Sequence, residues 1–202
     1  MDYVLRSGQY EMNNDVYHGT SLKRYEAIIT DGLLCRTNKK TTHYPDTDYS
    51  RTECDYLYLT DSPIAALEFG LRCWKNESGG TEESPRIVVI KLCAVDGIEV
   101  DEKETQTPSV TIGDKANYYR ISRDLRYSDA CVEIAFFKFD NEKRCYKYID
   151  LLVAAMDYKG DHIKWSKPGD KLSVNCYNKT IVTMLTSDNI ETEYANSREA
   201  QP

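Results

Sequence analysis

The segment 16–34 constrains the fold more than any other stretch of this sequence. It begins Val-Tyr-His-Gly-Thr-Ser and then continues as a helical pattern whose apolar residues share one face: Leu22, Tyr25, Ile28, Ile29 and Leu33. The Thr20–Ser21 pair offers a hydroxyl to cap this helix, and Gly32 lies where a helix ends in the left-handed conformation. His18 and Gly19 are therefore predicted at a strand-to-helix junction, which can present an imidazole and accessible backbone to a ligand. The simpler interpretation is that His18 has only a structural role and stabilises the turn.

A second strand-to-helix unit is predicted over residues 54–70. Its strand alternates, with three polar or aromatic residues on one face: Tyr56, Tyr58 and Thr60. The residues Asp61–Pro63 then supply a cap followed by a proline at the first helical position, which is a strong start signal for a helix. That helix continues with two small residues and an aromatic residue: Ala65, Ala66 and Phe69.

A third stretch, 131–139, predicts a strand that contains one unexpected carboxylate. Glu133 shares a strand face with Cys131, Ala135 and Phe137. An unpaired charge among apolar side chains is costly, so a core strand should not carry one there. Either this is an edge strand whose Glu133 faces water or pairs with a lysine, or Glu133 is a functional carboxylate.

Composition limits the classes of function. The chain of 202 residues suits one domain, or one domain with an extension, and its net charge of −7 disfavours broad electrostatic binding to nucleic acid. No apolar run is long enough for a membrane span, and the N-terminus lacks a signal pattern, so a cytoplasmic protein is expected. The seven cysteines are widely spaced and contain no Cys-x-x-Cys pair, so no metal site or disulfide framework is expected.

Taken in order, the three stretches resemble the signature blocks of the ADP-ribosyltransferases with a His-Tyr-Glu triad, the class of the poly(ADP-ribose) polymerases and diphtheria toxin. The first block is matched by His18-Gly19-Thr20 and Gly32-Leu33, and the third by Glu133. The second block is matched by Tyr58, Thr60, Asp61, Ala65, Ala66 and Phe69. The resemblance implies an α+β fold, namely an ADP-ribosyltransferase-like split β-sandwich with a few flanking helices and a C-terminal β-rich extension.

The resemblance also implies roles for individual residues, with NAD bound as a substrate. It implies a catalytic triad of His18, Tyr58 and Glu133, and NAD contacts from His18, Gly19, Thr20, Arg36, Tyr58 and Phe69. By analogy, His18 bonds the adenine-side ribose, the backbone of Gly19 holds the nicotinamide amide, and Tyr58 stacks on the nicotinamide ring. Arg36 matches a basic residue that this family places near the diphosphate of NAD. The alternative, a surface arginine that only contacts solvent, has equal weight.

Loss of nicotinamide from NAD develops positive charge on the ribose, which a carboxylate such as Glu133 can stabilise. The expected function is NAD-dependent mono-ADP-ribosyl transfer to a protein or nucleic acid by a toxin, effector or defence protein, with an antitoxin or regulatory partner left open. The alternative enzymes are an RNA 2′-phosphotransferase, which carries arginine where Tyr17 stands, and an NAD glycohydrolase. A third alternative is a catalytically silent module that binds a nucleotide or a partner.

The predicted domain organisation is a catalytic core over 1–142, an extension packed on it over 143–186 and a disordered tail over 187–202. Within the core, the polar residues of 35–53 predict a long loop. The resemblance implies a second loop, over about 118–130, that contacts the target, and an ordinary polar loop is the equal alternative. In the extension, the apolar run 148–156 is either helix or strand. Hairpins are predicted over 162–165 and 171–185, around the turn residues 167–170.

Overall fold

The computed structural model describes the chain over these residues: 5–6, 9–10, 15–36, 55–78, 84–93, 95–102, 104, 116–141, 146–156, 158, 162–168 and 177–181. Most of the predicted loop over 35–53, much of the polar stretch 101–117 and the whole predicted tail over 187–202 lie outside the described residues.

Eleven strands and four helices occur in the described part of the chain. The strands are β1 (Leu5–Arg6), β2 (Gln9–Tyr10), β3 (Val16–Ser21), β4 (Leu33–Leu34), β5 (Leu57–Thr60), β6 (Arg86–Leu92), β7 (Glu99–Val100), β8 (Tyr118–Ile121), β9 (Leu125–Arg126), β10 (Cys131–Asp140) and β11 (Tyr177–Ile181). The helices are α1 (Leu22–Asp31), α2 (Pro63–Ser78), α3 (Tyr127–Ala130) and α4 (Tyr148–Met156). Within the described residues, every helix is too short or too polar to cross a membrane.

Seven strands form one sheet in the order β11-β10-β6-β3-β5-β8-β7. Strands β10 and β11 are parallel, and the other neighbours are antiparallel, so the sheet is mixed. The sheet is open rather than closed into a barrel, with β11 and β7 at its two edges. Two further pairs, β1-β2 and β4-β9, lie outside it. The predicted α+β class is therefore confirmed.

The predicted helix of the first block forms, because its two ends are capped. The Ser21 hydroxyl accepts a hydrogen bond from the Arg24 backbone N–H at 3.2 Å, which satisfies one of the free donors of the first turn. At the other end Gly32 adopts φ 71° and donates its N–H to Ile28 O at 2.9 Å. Tyr25 is the buried anchor of this helix. Its predicted apolar face is wrong at two positions, since Ile29 is exposed and Leu33 lies beyond the helix in β4.

The large sheet separates two apolar cores. Val16, Ile90 and Ile134 pack with Tyr25 of α1 in one core, and we call this side of the sheet the α1 face. Val89 and Ala135 pack with helices α2 and α4 in the other core, on the side that we call the α2 face. Consecutive residues of one strand alternate between the two faces, as the pleat of a sheet requires.

The C-terminal extension contributes directly to the second core. The run 148–156 is a helix, because its apolar residues Leu151 and Ala155 pack against Phe137 on the α2 face. The strand predicted over 162–165 is wrong, since no strand forms over these residues. The next residue, Ser166, makes an isolated antiparallel bridge with Ile134. Strand β11 pairs with β10 in parallel, so it is the partner of a core strand rather than the arm of a local hairpin.

The loop conformation predicted for 118–130 is also wrong, whereas its contact with a target stays a prediction. Its residues form strands β8 and β9 and the short helix α3, which follow one another almost without interruption. Three tyrosines of this segment, Tyr118, Tyr119 and Tyr127, are buried in the cores. Their aromatic surfaces stabilise the fold, because each ring removed from water contributes roughly 1.5–3 kcal/mol.

Helix α2 lies very close to strand β3, and this contact requires glycine. A Cβ at Gly19 would lie 1.6 Å from the backbone oxygen of Ala66, and one at Gly70 would lie 2.2 Å from Cγ2 of Ile87. The backbone of the helix cannot move away from one residue alone without disturbing its other contacts with the sheet.

We therefore expect Gly19→Ala to lower the free energy of unfolding by at least about 3 kcal/mol, because a new methyl group meets backbone rather than a flexible side chain. Denaturant unfolding followed by circular dichroism measures this change. Gly97→Ala is the control: Gly97 has φ +73° but open space around it, so it should cost only about 1–2 kcal/mol of backbone strain. Equal effects of the two substitutions would contradict the close contact.

Candidate active site

The structure brings the first two sequence blocks together at the junction of β3 and β5. Nδ1 of His18 lies 3.0 Å from the backbone oxygen of Tyr58. A carbonyl oxygen only accepts hydrogen bonds, so Nδ1 carries the proton and Nε2 of the neutral ring is an acceptor. Strands β3 and β5 share a single ladder pair, Tyr17↔Thr60. The sheet is therefore held by few backbone contacts at its centre, next to the contact between His18 and Tyr58.

The environment of His18 favours its neutral form. Burial lowers the pKa of His18 below its ordinary value, the hydrogen bond to Tyr58 opposes this shift, and the positive charge of Arg24 adds to it. The imidazole is therefore uncharged at neutral pH. A neutral ring with Nε2 unprotonated can accept a hydrogen bond from a ligand hydroxyl.

Tyr58 belongs to an aromatic and cationic cluster on β5 and β8. Its ring centroid lies 6.5 Å from that of Tyr56, and the Arg120 guanidinium lies 4.4 Å from the centre of the Tyr56 ring. Arg120 is directly opposite Tyr58 in the ladder and also lies 3.4 Å from a carboxylate oxygen of Glu99. The sequence indicated the tyrosines, but not the cation that the strand pairing places beside them.

Phe69 is held by the neighbouring elements rather than exposed. Its ring makes an edge contact with Tyr118 at a centroid distance of 6.1 Å, and the Arg72 guanidinium lies 5.8 Å from its centre. Ala65, one turn earlier on α2, packs in the same small cluster. Phe69 therefore has a fixed position on the side of α2 that faces β8.

Asn117 fixes the start of α2 to the start of β8. Its backbone N–H and its side-chain amide donate to the two oxygens of Asp61, at 2.8 and 2.6 Å. The Thr60 hydroxyl in turn donates to the Asn117 backbone oxygen at 3.0 Å. The sequence offered Asp61 or Ser62 as the cap of α2. Ser62 is the cap, since its hydroxyl accepts a hydrogen bond from the Ala65 backbone N–H at 3.2 Å. Asp61 instead joins the end of β5 to the start of β8, a role that nothing in the local sequence indicates.

Gly19 and Thr20 serve packing in this structure. Gly19 lies against the backbone of α2, as described above, and Thr20 is 2% exposed. The Thr20 hydroxyl lies 4.0 Å from the sulfur of Cys73. Their predicted contacts with NAD stay predictions.

Arg36 is pinned to the turn between β8 and β9. Its backbone N–H and its Nε both donate to one carboxylate oxygen of Asp124, at 2.7 and 3.3 Å, and its Nη1 donates to Ser122 O at 3.3 Å. The side chain is 38% exposed, so solvent screens this ion pair. To bind a diphosphate, the Arg36 guanidinium would have to do so while it keeps Asp124 and Ser122 as partners, or exchange them for the ligand.

Glu133 is not an unpaired charge. Its Oε2 lies 2.9 Å from Nζ of Lys91, and the same ammonium lies 2.9 Å from Oδ2 of Asp15. Two hydrogen-bonded carboxylates raise the pKa of Lys91 and keep it protonated. The alternative in which Glu133 pairs with a lysine therefore describes its present contacts, and the predicted catalytic role stays a prediction.

The structure does not place Glu133 on the same side of the sheet as His18. Glu133 pairs with Lys91, which pairs with Tyr17, whereas His18 pairs with Ile90 in the next row. Because successive residues of a strand point to opposite faces, Glu133 lies on the α2 face and His18 on the α1 face. An irregularity in the pairing between Cys131 and Glu133 bends this end of β10.

Trp165 covers the Lys91 cluster from the C-terminal extension. Its ring centroid lies 5.8 Å from that of Tyr17 and 5.9 Å from the Lys91 ammonium. Burial raises the pKa of Tyr17, and the positive charge of Lys91 opposes this shift. Lys91, Asp15 and Trp165 were missed from the sequence because they come from three distant segments and form no local motif.

A separate cleft of about 840 Å³ opens at the other end of the sheet. It is lined by Ser21, Leu22, Lys23, Glu26, Trp74, Glu77, Ser78, Ser84, Arg86, Lys138, Asp140, Asn141 and Tyr146. Three basic and three acidic side chains balance one another there, so its charge favours neither an anion nor a cation. None of the site residues predicted from the sequence lines it.

The half-buried, neutral His18 has a consequence for stability. Below about pH 6.5 the unfolded chain binds a proton at this histidine while the folded protein resists it, so the contribution of His18 to stability is full above that pH and declines as pH falls toward the lowered pKa. We expect the free energy of unfolding to fall between about pH 7 and 5, and His18→Gln to flatten that slope. Denaturant titrations across this range measure it.

The matched control for this slope is Ile29→Gln, because Ile29 is exposed on α1 and carries no titratable group. It should leave the pH dependence as it is in the wild-type protein. A slope that His18→Gln does not change would contradict the burial of the imidazole in its neutral form.

Comparison with known proteins adds no assignment. No protein-family model, curated protein or solved structure matches this chain.

Proposed function

We propose that this chain is an NAD-dependent mono-ADP-ribosyltransferase with an ADP-ribosyltransferase-like split β-sandwich, acting on a protein or nucleic-acid target as a toxin, effector or defence protein. The observation that carries the proposal is the 3.0 Å contact between the His18 imidazole and the Tyr58 backbone, which joins two motif blocks 40 residues apart. The third block lies in the same sheet, since only β6 separates β10 from β3.

The state of His18 suits a ribose contact. With its proton on Nδ1 and no positive charge, the ring offers Nε2 to a ribose hydroxyl as a hydrogen-bond acceptor. The role proposed for it is to orient the adenine-side ribose, and the Tyr58 carbonyl fixes the ring for that purpose.

The nicotinamide end would lie where aromatic residues meet the short ladder between β3 and β5. This ladder is limited to one pair, Tyr17↔Thr60, and the ligand is proposed to approach the strand backbone beside it, at Gly19. Tyr58 and Phe69 are the aromatic residues proposed to contact the flat nicotinamide ring, which stacks without needing a charge.

Glu133 is the proposed catalytic residue. The bond between ribose C1′ and the nicotinamide nitrogen breaks, its electron pair leaves with nicotinamide, and the acceptor atom of the target bonds to C1′ and loses a proton. The ribose passes through a cation-like transition state, which a neighbouring carboxylate stabilises. Glu133 is 40% exposed in its side chain, so a ligand can reach it.

A second candidate is a nucleotide- or partner-binding module without catalysis. The observation that favours it is the placement of His18 and Glu133 in neighbouring rows that face opposite sides of the sheet. In this alternative His18 braces β3 against β5, and Glu133 contributes only an ion pair. A measurement of turnover separates the two candidates.

The test is NAD turnover by the full chain, with nicotinamide release and transfer of radiolabel from NAD to whole-cell lysate measured in parallel. We expect Glu133→Gln to lower kcat by about 100-fold or more, because its amide cannot supply the negative charge. Glu26→Gln is the matched control, since Glu26 is an exposed glutamate on α1, and it should keep wild-type turnover.

Label on protein or on nucleic acid would identify the class of target, whereas release without label would indicate an NAD glycohydrolase. Bound NAD without turnover would favour the binding module. If NAD neither turns over nor binds, the assignment to this class of enzyme is wrong.

A further inference from the structure

The cluster around Lys91 points to a further residue of the reaction, and this inference rests on the proposed function. Lys91 lies on β6, the strand between the His18 strand and the Glu133 strand. Its register partners are Tyr17 on one side and Glu133 on the other, so its side chain leaves the sheet between theirs. No sequence motif identifies it, because the pairing of three strands creates the contact.

Lys91 holds only one of the two oxygens of the glutamate. Its ammonium contacts Oε2 of Glu133 at 2.9 Å. Oε1 has no hydrogen-bond partner within the part of the chain that the structure describes. An anchored carboxylate with one oxygen unoccupied has a defined direction and still offers an acceptor to a ligand hydroxyl.

Asp15 preserves the negative charge of the cluster. It binds the same ammonium at 2.9 Å, so one lysine faces two carboxylates and one negative charge remains. A lysine paired with Glu133 alone would neutralise it and weaken its attraction for a cation-like ribose. The shared ammonium therefore orients Glu133 without cancelling its charge.

Trp165 and Tyr17 limit where Lys91 can point. The ammonium lies 5.9 Å from the centre of the Trp165 ring, and the two aromatic rings are 5.8 Å apart. The Lys91 side chain is 22% exposed, so the contacts with Asp15 and Glu133 are partly shielded from solvent. The neighbouring irregularity at Cys131–Glu133 sets the angle from which the glutamate meets the ammonium.

We propose that Lys91 is the positioning residue for Glu133. It fixes the carboxylate through Oε2, so that Oε1 meets the nicotinamide-side ribose, and Asp15 keeps the group negatively charged. Lys91 itself contacts neither the leaving group nor the acceptor. The C-terminal extension takes part through Trp165, which holds the lysine in place.

The test compares steady-state NAD turnover of the full-length wild-type protein with Lys91→Met, Lys91→Arg and the control Lys138→Met. Lys138 is matched because it also pairs with a carboxylate, at 3.0 Å from Asp140, but at the other end of β10. Each lysine variant is also made in the Glu133→Gln background. Thermal unfolding of every variant shows whether it is folded at the assay temperature.

We expect Lys91→Met to lower kcat by about 10- to 100-fold while KM for NAD stays within about twofold, because orientation acts on the transition state. Lys91→Arg should restore turnover to within about threefold of the wild-type protein. Lys138→Met should have no effect. In the Glu133→Gln background Lys91→Met should cause no further loss, since the positioned group is absent.

Wild-type turnover in Lys91→Met, a change in KM alone, or an equal loss in the Glu133→Gln background would overturn the role of Lys91 and leave the proposed function intact. A folded Lys91→Arg variant as inactive as Lys91→Met would also overturn it, as would a folded Lys138→Met variant with the same loss. A wild-type protein that does not turn over NAD would overturn the proposed function, and the positioning role with it.

Discussion

The close contact between helix α2 and strand β3 is the constraint on which the other parts of the structure depend. Three positions without bulky side chains, Gly19, Ala66 and Gly70, let the two backbones approach. The helix is thereby fixed on the sheet, its first turn meets Asn117, and Phe69 reaches Tyr118. One packing contact therefore positions both sequence blocks, and a motif that suggests ligand binding is also required by the fold.

The sheet separates two electrostatic environments. On the α1 face burial and the charge of Arg24 keep His18 neutral, and the packed core on this face is apolar. On the α2 face Lys91 joins Asp15 and Glu133 beneath an aromatic pair. Charged groups cost little free energy on the α2 face, because each has a partner of opposite charge and part of the cluster is exposed to water. A reaction that needs a negative group would use this face, and a neutral hydrogen-bond acceptor would be supplied by the other.

Local patterns predicted the elements that local interactions stabilise. The α1 helix and its cap at Ser21, the strand before Asp61 and the strand that carries Glu133 all follow from spacing and capping chemistry within a few residues. Pairing between distant strands could not be read in this way, so the register that sets Glu133 beside Lys91 was missed. The segment 118–130 was misjudged because tyrosines and arginines occur both in exposed loops and in half-buried strands. The run 148–156 stayed undecided because a short apolar run fits either period.

The parallel pairing of β10 with β11 has a consequence for how the chain folds. Asn178 completes this edge, since its side-chain amide donates to Phe136 O at 3.0 Å and to Lys164 O at 3.1 Å. Until residues 177–181 leave the ribosome, β10 has an unpaired edge that carries Phe137 and Phe139, which are fully buried in the finished fold. An exposed apolar edge of this kind invites pairing with another chain. Strand β11, the last described strand, therefore covers this edge of the sheet. A nascent chain that stops before it is a candidate for capture by a chaperone.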